Sequence, residues 1–240
     1  MLKIMAFGAH PADPIWWTGG TLAKHKKRGD EIAIVALTYG ERSHAPLLWE
    51  HAKGQTEEVI KMIKKEKRRE LREAAKVLGA KIYELDYGDS PLIITSERLR
   101  EIVDLIRDFK PDIVLTSWYK DPQNADHAVA GHEVWRAVHY ARDLGYKTKH
   151  PPHKVSYLFY YPPVMSFGPE VGFIPDVYVD IAETIELKIE ALSKFWTQKV
   201  DKEFARRWVE RQASIWAERV EAEYVEVFKR LWSKPQRYLP

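Results

Sequence analysis

Short apolar runs alternate with longer amphipathic segments along the first part of the chain, and no other feature limits its possible folds so strongly. KIMAFGA (3–9), EIAIVALTY (31–39), KIYELDYGD (81–89) and PDIVLTSWY (111–119) are short, rich in branched residues and closed by polar or glycine-containing loops. Such runs are typical of strands buried on both faces. Helical spacing follows each of them. It runs over 18–28 up to Gly29, over 56–78 up to Gly79, over 96–109 behind a possible N-cap at Ser96, and over about 127–144. The order β-α-β-α-β-α-β-α predicts an α/β protein with an open, mostly parallel sheet covered on both faces. Two further strands, VSYLFYY (155–161) and DVYVDI (176–181), flank a loop carrying Pro162, Pro163, Pro169 and Pro175. Charged amphipathic helices are expected over about 183–199 and 202–231. The expectation is one domain over 1–240, with 1–150 as the core carrying the site and 151–240 adding two strands and C-terminal helices.

Composition removes several function classes. There is no cysteine, hence no disulfide, thiolate ligand or cysteine nucleophile. Thirty-eight basic residues against 35 acidic ones give a net charge of +3, which offers no global argument for a nucleic acid or a membrane surface as partner. No apolar run approaches the ~18 residues needed to span a bilayer. The first ten residues are too short for a signal segment with its cleavage site. The expected compartment is cytoplasmic and the expected partner a small-molecule substrate.

In open α/β sheets, ligands bind beyond the carboxyl ends of the strands. HPAD follows the first strand and DPQNADH the fourth, so two loops distant in sequence can meet on one rim. Together they offer His10, Asp13 and His127 as metal ligands. Two imidazoles and a carboxylate with one position left open is a usual arrangement for catalytic Zn2+. Such an ion lowers the pKa of bound water toward ~7 and polarises a substrate oxygen. Asp126 stands beside His127 and is a candidate to orient a ligand from behind. The competing reading makes both histidines helix caps or partners of backbone groups. A dinucleotide site is disfavoured, because the first loop lacks G-x-G-x-x-G and Pro11 removes an amide donor.

AHPAD…GGTLA, LTYGER, ELREAAKVLGA, PDIVL and DH together resemble the PIG-L/LmbE family of zinc-dependent de-N-acetylases over about residues 3–140. The resemblance implies a Rossmann-like three-layer sandwich, zinc held by His10, Asp13 and His127, and homo-oligomers, often hexamers. Two positions depart from the deacetylase pattern. Those enzymes usually read His-Pro-Asp-Asp, with the first Asp as general base, where this chain has Ala12. They usually carry a histidine that stabilises the oxyanion where this chain has Asn124. Losing a general base costs about 10²–10⁴-fold, and asparagine can donate a hydrogen bond but cannot shuttle a proton. Both departures occur in a subgroup resembling 4-oxalomesaconate hydratase. AHPAD, YGER, DPQNADH, GDSPL (88–92) and PDVYVDI (175–181) are similar to it, to about residue 190. That likeness implies water addition to a conjugated C=C bond. Hydratase members use a histidine before the Pro-Asp strand, whereas residues 154–175 contain none.

With alanine at position 12, Glu41 is the next candidate for proton transfer, its alternative being a salt bridge to Arg42 or the loop. His44 is a second candidate, or else an exposed loop histidine. Arg42 is placed to clamp a substrate carboxylate, and Asn124 to donate a hydrogen bond. Trp16 and Trp17 either wall the pocket or pack against a following helix. The basic run Lys64, Lys65, Lys67, Arg68 and Arg69 is interleaved with glutamates and reads as a solvated face or an oligomer contact. Trp196, Trp208, Trp216, Tyr224, Phe228 and Trp232 are expected to pack on the domain or on a neighbouring subunit. Three functions follow in order: hydration of a small unsaturated keto acid or polyanionic metabolite, de-N-acetylation of an N-acetylglucosamine-type substrate, and a non-catalytic metal-binding homologue.

Overall fold

The structure is a computed structural model that describes residues 1–164 and 168–232. Part of the proline-bearing loop between the last two expected strands, residues 165–167, lies outside the described residues. The strands β1 (Lys3–Gly8), β2 (Glu31–Ala36), β3 (Lys81–Glu84), β4 (Ile113–Ser117), β5 (Tyr157–Tyr161), β6 (Val177–Asp180) and β7 (Val225–Arg230) form one sheet in the order β3-β2-β1-β4-β5-β7-β6. All run parallel except β7, which lies antiparallel between β5 and β6. The direction of winding reverses between β1 and β4. A crevice opens there in doubly wound sheets, at the carboxyl ends of the two strands.

Period-two alternation sorts the strand side chains between two cores. Met5, Phe7, Ala33, Val35, Val114, Leu158 and Tyr160 face α4 (Ser96–Phe109) and α5 (Ala125–Ala141). Ile4, Ala6, Ile32, Ile34, Ala36 and Leu115 face α1 (Asp13–Lys27), α3 (Glu57–Leu78), α6 (Ile185–Leu192) and α7 (Lys202–Ala217). The result is the expected α/β three-layer sandwich. A short α2 (Pro46–His51), not expected from the sequence, lies between β2 and α3.

Several boundaries differ from the sequence expectation: Thr95 and not Ser96 caps α4, its hydroxyl accepting the Arg98 amide at 3.3 Å, and α6 ends at Leu192 rather than near 199. The first helix begins at Asp13 rather than Thr18, with Pro14 in its first turn, where a missing amide hydrogen does no harm. Its Gly20 lies inside the helix because a Cβ there would come within 2.8 Å of Ile181. The predicted helix over 202–231 is the larger error. Helix α7 stops at Ala217 and the chain returns as β7. Val225 and Val227 enter one core and Phe228 the other, a period of two hidden among good helix formers. Glu226 is fixed between them. Its oxygens accept the Gly20 and Thr21 amides at 2.9 and 2.7 Å and the Lys188 ammonium at 2.7 Å.

Lys67 also departs from the solvated-face reading. It is fully buried, 2.9 Å from Glu70, whose carboxylate accepts the Thr197 amide and hydroxyl. Other members of the run do pair at the surface, Arg68 with Glu84 and Arg69 with Glu66. No helix among the described residues is long and apolar enough to cross a membrane.

Candidate metal centre

The loop after β1 turns into α1 with His10 and Asp13 three residues apart, while Asn124 starts α5 so that His127 lies in its first turn. The Asn124 side chain accepts the Asp126 and His127 amides at 3.0 and 3.3 Å, an N-cap that fixes where the His127 ring stands. Across the β1/β4 crevice, His10 Nδ1, Asp13 Oδ2 and His127 Nε2 form a triangle whose three sides are each 3.2 Å. A tetrahedral ion bound at about 2.0–2.2 Å separates neighbouring donors by roughly 3.3–3.6 Å, close to this spacing. All three residues are buried.

The outward-facing ring nitrogens have carboxylate partners. His10 Nε2 lies 3.0 Å from Asp89 Oδ1 and 3.7 Å from Asp126 Oδ2, and His127 Nδ1 lies 3.1 Å from Asp121 Oδ2. This is the outer arrangement that fixes tautomer and ring orientation in metal-binding histidines. Burial pushes the His10 imidazole down, but Asp13, Asp126 and Asp89 outweigh it and hold the ring well above its ordinary value. His127 is raised in the same way against burial, by Asp13 and Asp121. Burial works to raise Asp13, yet His127 and His10 hold it well below the carboxylate range. Four carboxylates around two buried imidazoles favour positive charge at the triangle, which a divalent cation supplies. The donor set therefore fits a metal ion.

The other sequence candidates are dispersed around this centre. Asp126 stands behind His10, its Oδ2 3.7 Å from Nε2, rather than behind its neighbour His127. Its oxygens accept the Ser90 and Leu92 amides, which pins the loop carrying Asp89 beside His10. Glu41 is buried, with Oε1 3.5 Å from Lys64 Nζ, so its ion-pair partner is Lys64 and not Arg42. Its Oε2 is buried without a hydrogen-bond partner. Arg42 is exposed, and only its backbone amide, 2.7 Å from Asp89 Oδ2, has a partner among the described residues. The His44 ring is half-buried and lies against His10, tilted by 32° with centroids 3.9 Å apart. Its donor atom falls with those of His10, Asp13 and His127 in one group spanning at most 4.8 Å. Trp16 and Trp17 pack edge-on against Trp208 of α7, at 4.4 and 5.4 Å. Sequence reasoning missed Asp89 and Asp121. Both lie in the quoted stretches GDSPL and DPQNADH, but only the fold reveals which imidazole each one meets.

A three-layer α/β sandwich with a buried two-histidine, one-carboxylate triangle at its switch point defines a class of metal-site enzyme folds. Residues 5–138 match the family described as PIG-L, GlcNAc-PI de-N-acetylase, and the chain belongs to that family. Over 192 residues it is 33% identical to the 4-oxalmesaconate hydratase of Pseudomonas putida, spanning 78% of this chain and 70% of that protein. It is 29% identical over 199 residues to the diacetylchitobiose deacetylase of Thermococcus kodakarensis, spanning 79% and 67%. Among solved structures, the 4-carboxy-2-hydroxymuconate hydratase from Pseudomonas putida matches with a TM-score of 0.88 at 26% identity, over all of both chains. The N,N'-diacetylchitobiose deacetylase of Pyrococcus horikoshii shares the fold at a TM-score of 0.79 and 22% identity, covering 95% of this chain and 83% of that one. These relatives are hydratases and deacetylases, which makes this chain a member of an enzyme family.

Proposed function

We propose that this chain is a zinc-dependent hydratase that adds water across a conjugated C=C bond of a small unsaturated keto acid or polyanionic metabolite. The carrying observation is Ala12. Its methyl group is buried in the apolar cluster with Ile15, at the position where the deacetylases that this chain resembles usually place their general base. A methyl group cannot take a proton from water. The hydratase likeness over 78% of the chain supports the same reading.

In this proposal His10, Asp13 and His127 hold the ion. When bound, the ion supplies Lewis acidity toward water or a substrate oxygen. Asp89 and Asp121 keep the two imidazoles in the tautomer that presents a lone pair inward. Hydration forms a C–O bond at one alkene carbon and a C–H bond at the other, so one proton must be taken from water and one delivered to carbon. Glu41 is the group assigned to that transfer, its Oε2 being the buried oxygen left without a partner. Arg42 presents an exposed guanidinium for a substrate carboxylate, a bidentate match in geometry and charge. Asn124 contributes its side-chain amide hydrogens, since its oxygen is engaged in capping α5.

Paired assays test the reading. Unsaturated dicarboxylic and tricarboxylic keto acids are followed by ultraviolet loss of conjugation, and diacetylchitobiose or N-acetylglucosamine by acetate release. Loss of conjugation without acetate is expected, abolished by a chelator and reduced about 10²–10⁴-fold in Glu41→Gln. Ala12→Asp should not improve it, because a second carboxylate beside Asp13 repels an anionic substrate. Robust acetate release, strengthened by Ala12→Asp, would overturn the proposal in favour of a deacetylase.

A further inference from the structure

We propose that His44 is a fourth protein ligand of the ion, a swinging imidazole that fills the position left open by His10, Asp13 and His127 when no substrate is bound. The inference rests on the metal-centre reading and assigns His44 a role different from proton transfer. Its donor atom lies within 4.8 Å of those of the other three residues. The spacing of a tetrahedral ion, roughly 3.3–3.6 Å between donors, is at most about 1.5 Å short of that limit. A small rotation of the ring therefore closes the gap.

The backbone keeps that rotation small. Asp89 Oδ2 accepts the Arg42 and Ser43 amides at 2.7 and 2.8 Å, and the His44 amide donates to the Gly40 carbonyl at 2.8 Å. Gly40 has φ +65°, and a Cβ there would lie 3.0 Å from the His44 Cβ. The turn thus holds the His44 Cα and Cβ at a fixed place over the centre, and only side-chain torsions remain to move the ring. Ser43 Oγ lies 2.6 Å from His44 Nδ1, which leaves Nε2 as the free donor. The tilted contact with the His10 ring holds the half-buried His44 ring beside the site. His44 would hold the ion together with His10, Asp13 and His127 and would give way to an oxygen donor of the substrate, with no change of oxidation state. The site stays closed to stray ligands until a substrate displaces the imidazole.

The test uses Zn2+ and Co2+ alone, without substrate. Zinc affinity is measured by competition with a chromophoric chelator, and ligand number by the visible spectrum of the cobalt form. His44→Ala and the milder His44→Gln, both checked by circular dichroism, should bind zinc at least ~10-fold more weakly than the wild type. Their cobalt spectra should differ from the wild type, and added imidazole should restore the wild-type spectrum in His44→Ala. His51→Ala, which alters an exposed histidine of α2, should match the wild type. Loss of a proton-transfer group alone would leave both the zinc affinity and the cobalt spectrum unchanged. Unchanged affinity and spectrum in both His44 variants would overturn this inference and leave the three-ligand centre intact. A wild type that binds neither ion would defeat the metal-centre reading and this inference with it.

Discussion

Asp121 Oδ2 lies 3.1 Å from His127 Nδ1 and 2.9 Å from the Val164 amide, while Oδ1 accepts the amides of Gln123 and Asn124. One carboxylate therefore folds the loop after β4 and fixes the proton of His127 on Nδ1, leaving the Nε2 lone pair to face Asp13. Asp121→Asn keeps an oxygen for the loop amides but turns a donor toward Nδ1. The proton then shifts to Nε2, the nitrogen needed for the ion. Zinc affinity should fall about 10–100-fold with the far-ultraviolet spectrum unchanged. Competition against a chelator measures this, and an affinity equal to the wild type would contradict the role given to Asp121.

Gly131 sits one turn after His127 on α5, where a Cβ would come within 2.2 Å of the Ser117 carbonyl of β4. That oxygen belongs to a central strand and cannot retreat. Elsewhere in a helix, glycine to alanine gains about 1 kcal/mol. Here Gly131→Ala should cost about 1–3 kcal/mol, because α5 must lift off the sheet. His127 travels with the helix, so zinc affinity should fall as well. Urea denaturation of the apo protein measures the first effect and chelator competition the second. Gly145→Ala, with nothing within 4 Å of the added Cβ, is the control expected to change neither.

The parallel half of the sheet was legible because β1, β2 and β4 are buried apolar runs, and β1 to β4 are each followed by a helix. The triangle His10–Asp13–His127 was legible for a related reason. Strand ends set the rim, so a loop's place along the chain gives its place in space. The antiparallel strand β7 was not legible, since Glu226, Lys229 and Arg230 dilute its alternation and Glu226 is buried by partners from α1 and α6. Lys67 was misread for the same reason. Its burial depends on Glu70 one turn away and on Thr197, 130 residues distant. The outer carboxylates Asp89 and Asp121 were visible as letters in matching stretches. Which imidazole each would meet is tertiary information that no spacing contains.

Asp30 ties the turn between α1 and β2 to the N-terminus and gives the fold an acid-sensitive point far from the metal centre. Its Oδ1 accepts the Leu2 amide at 2.8 Å, and Oδ2 lies 2.8 Å from both His25 Nδ1 and Arg28 Nε. Burial works to raise this carboxyl, but those donors outweigh it and bring it down from 3.8 to about 2. A carboxylate whose folded value lies below its unfolded value stabilises the protein fully above the unfolded value. That contribution is lost as the pH falls toward the folded one. From pH 5 to pH 2 the loss should amount to about 2 kcal/mol. Asp30→Asn removes the titration, so the stability difference between wild type and variant should be constant above pH 5 and shrink by about that amount at pH 2. Urea denaturation of the apo forms across this range supplies the comparison. A difference that stays flat down to pH 2 would show that the His25, Arg28 and Leu2 contacts do not hold the Asp30 charge.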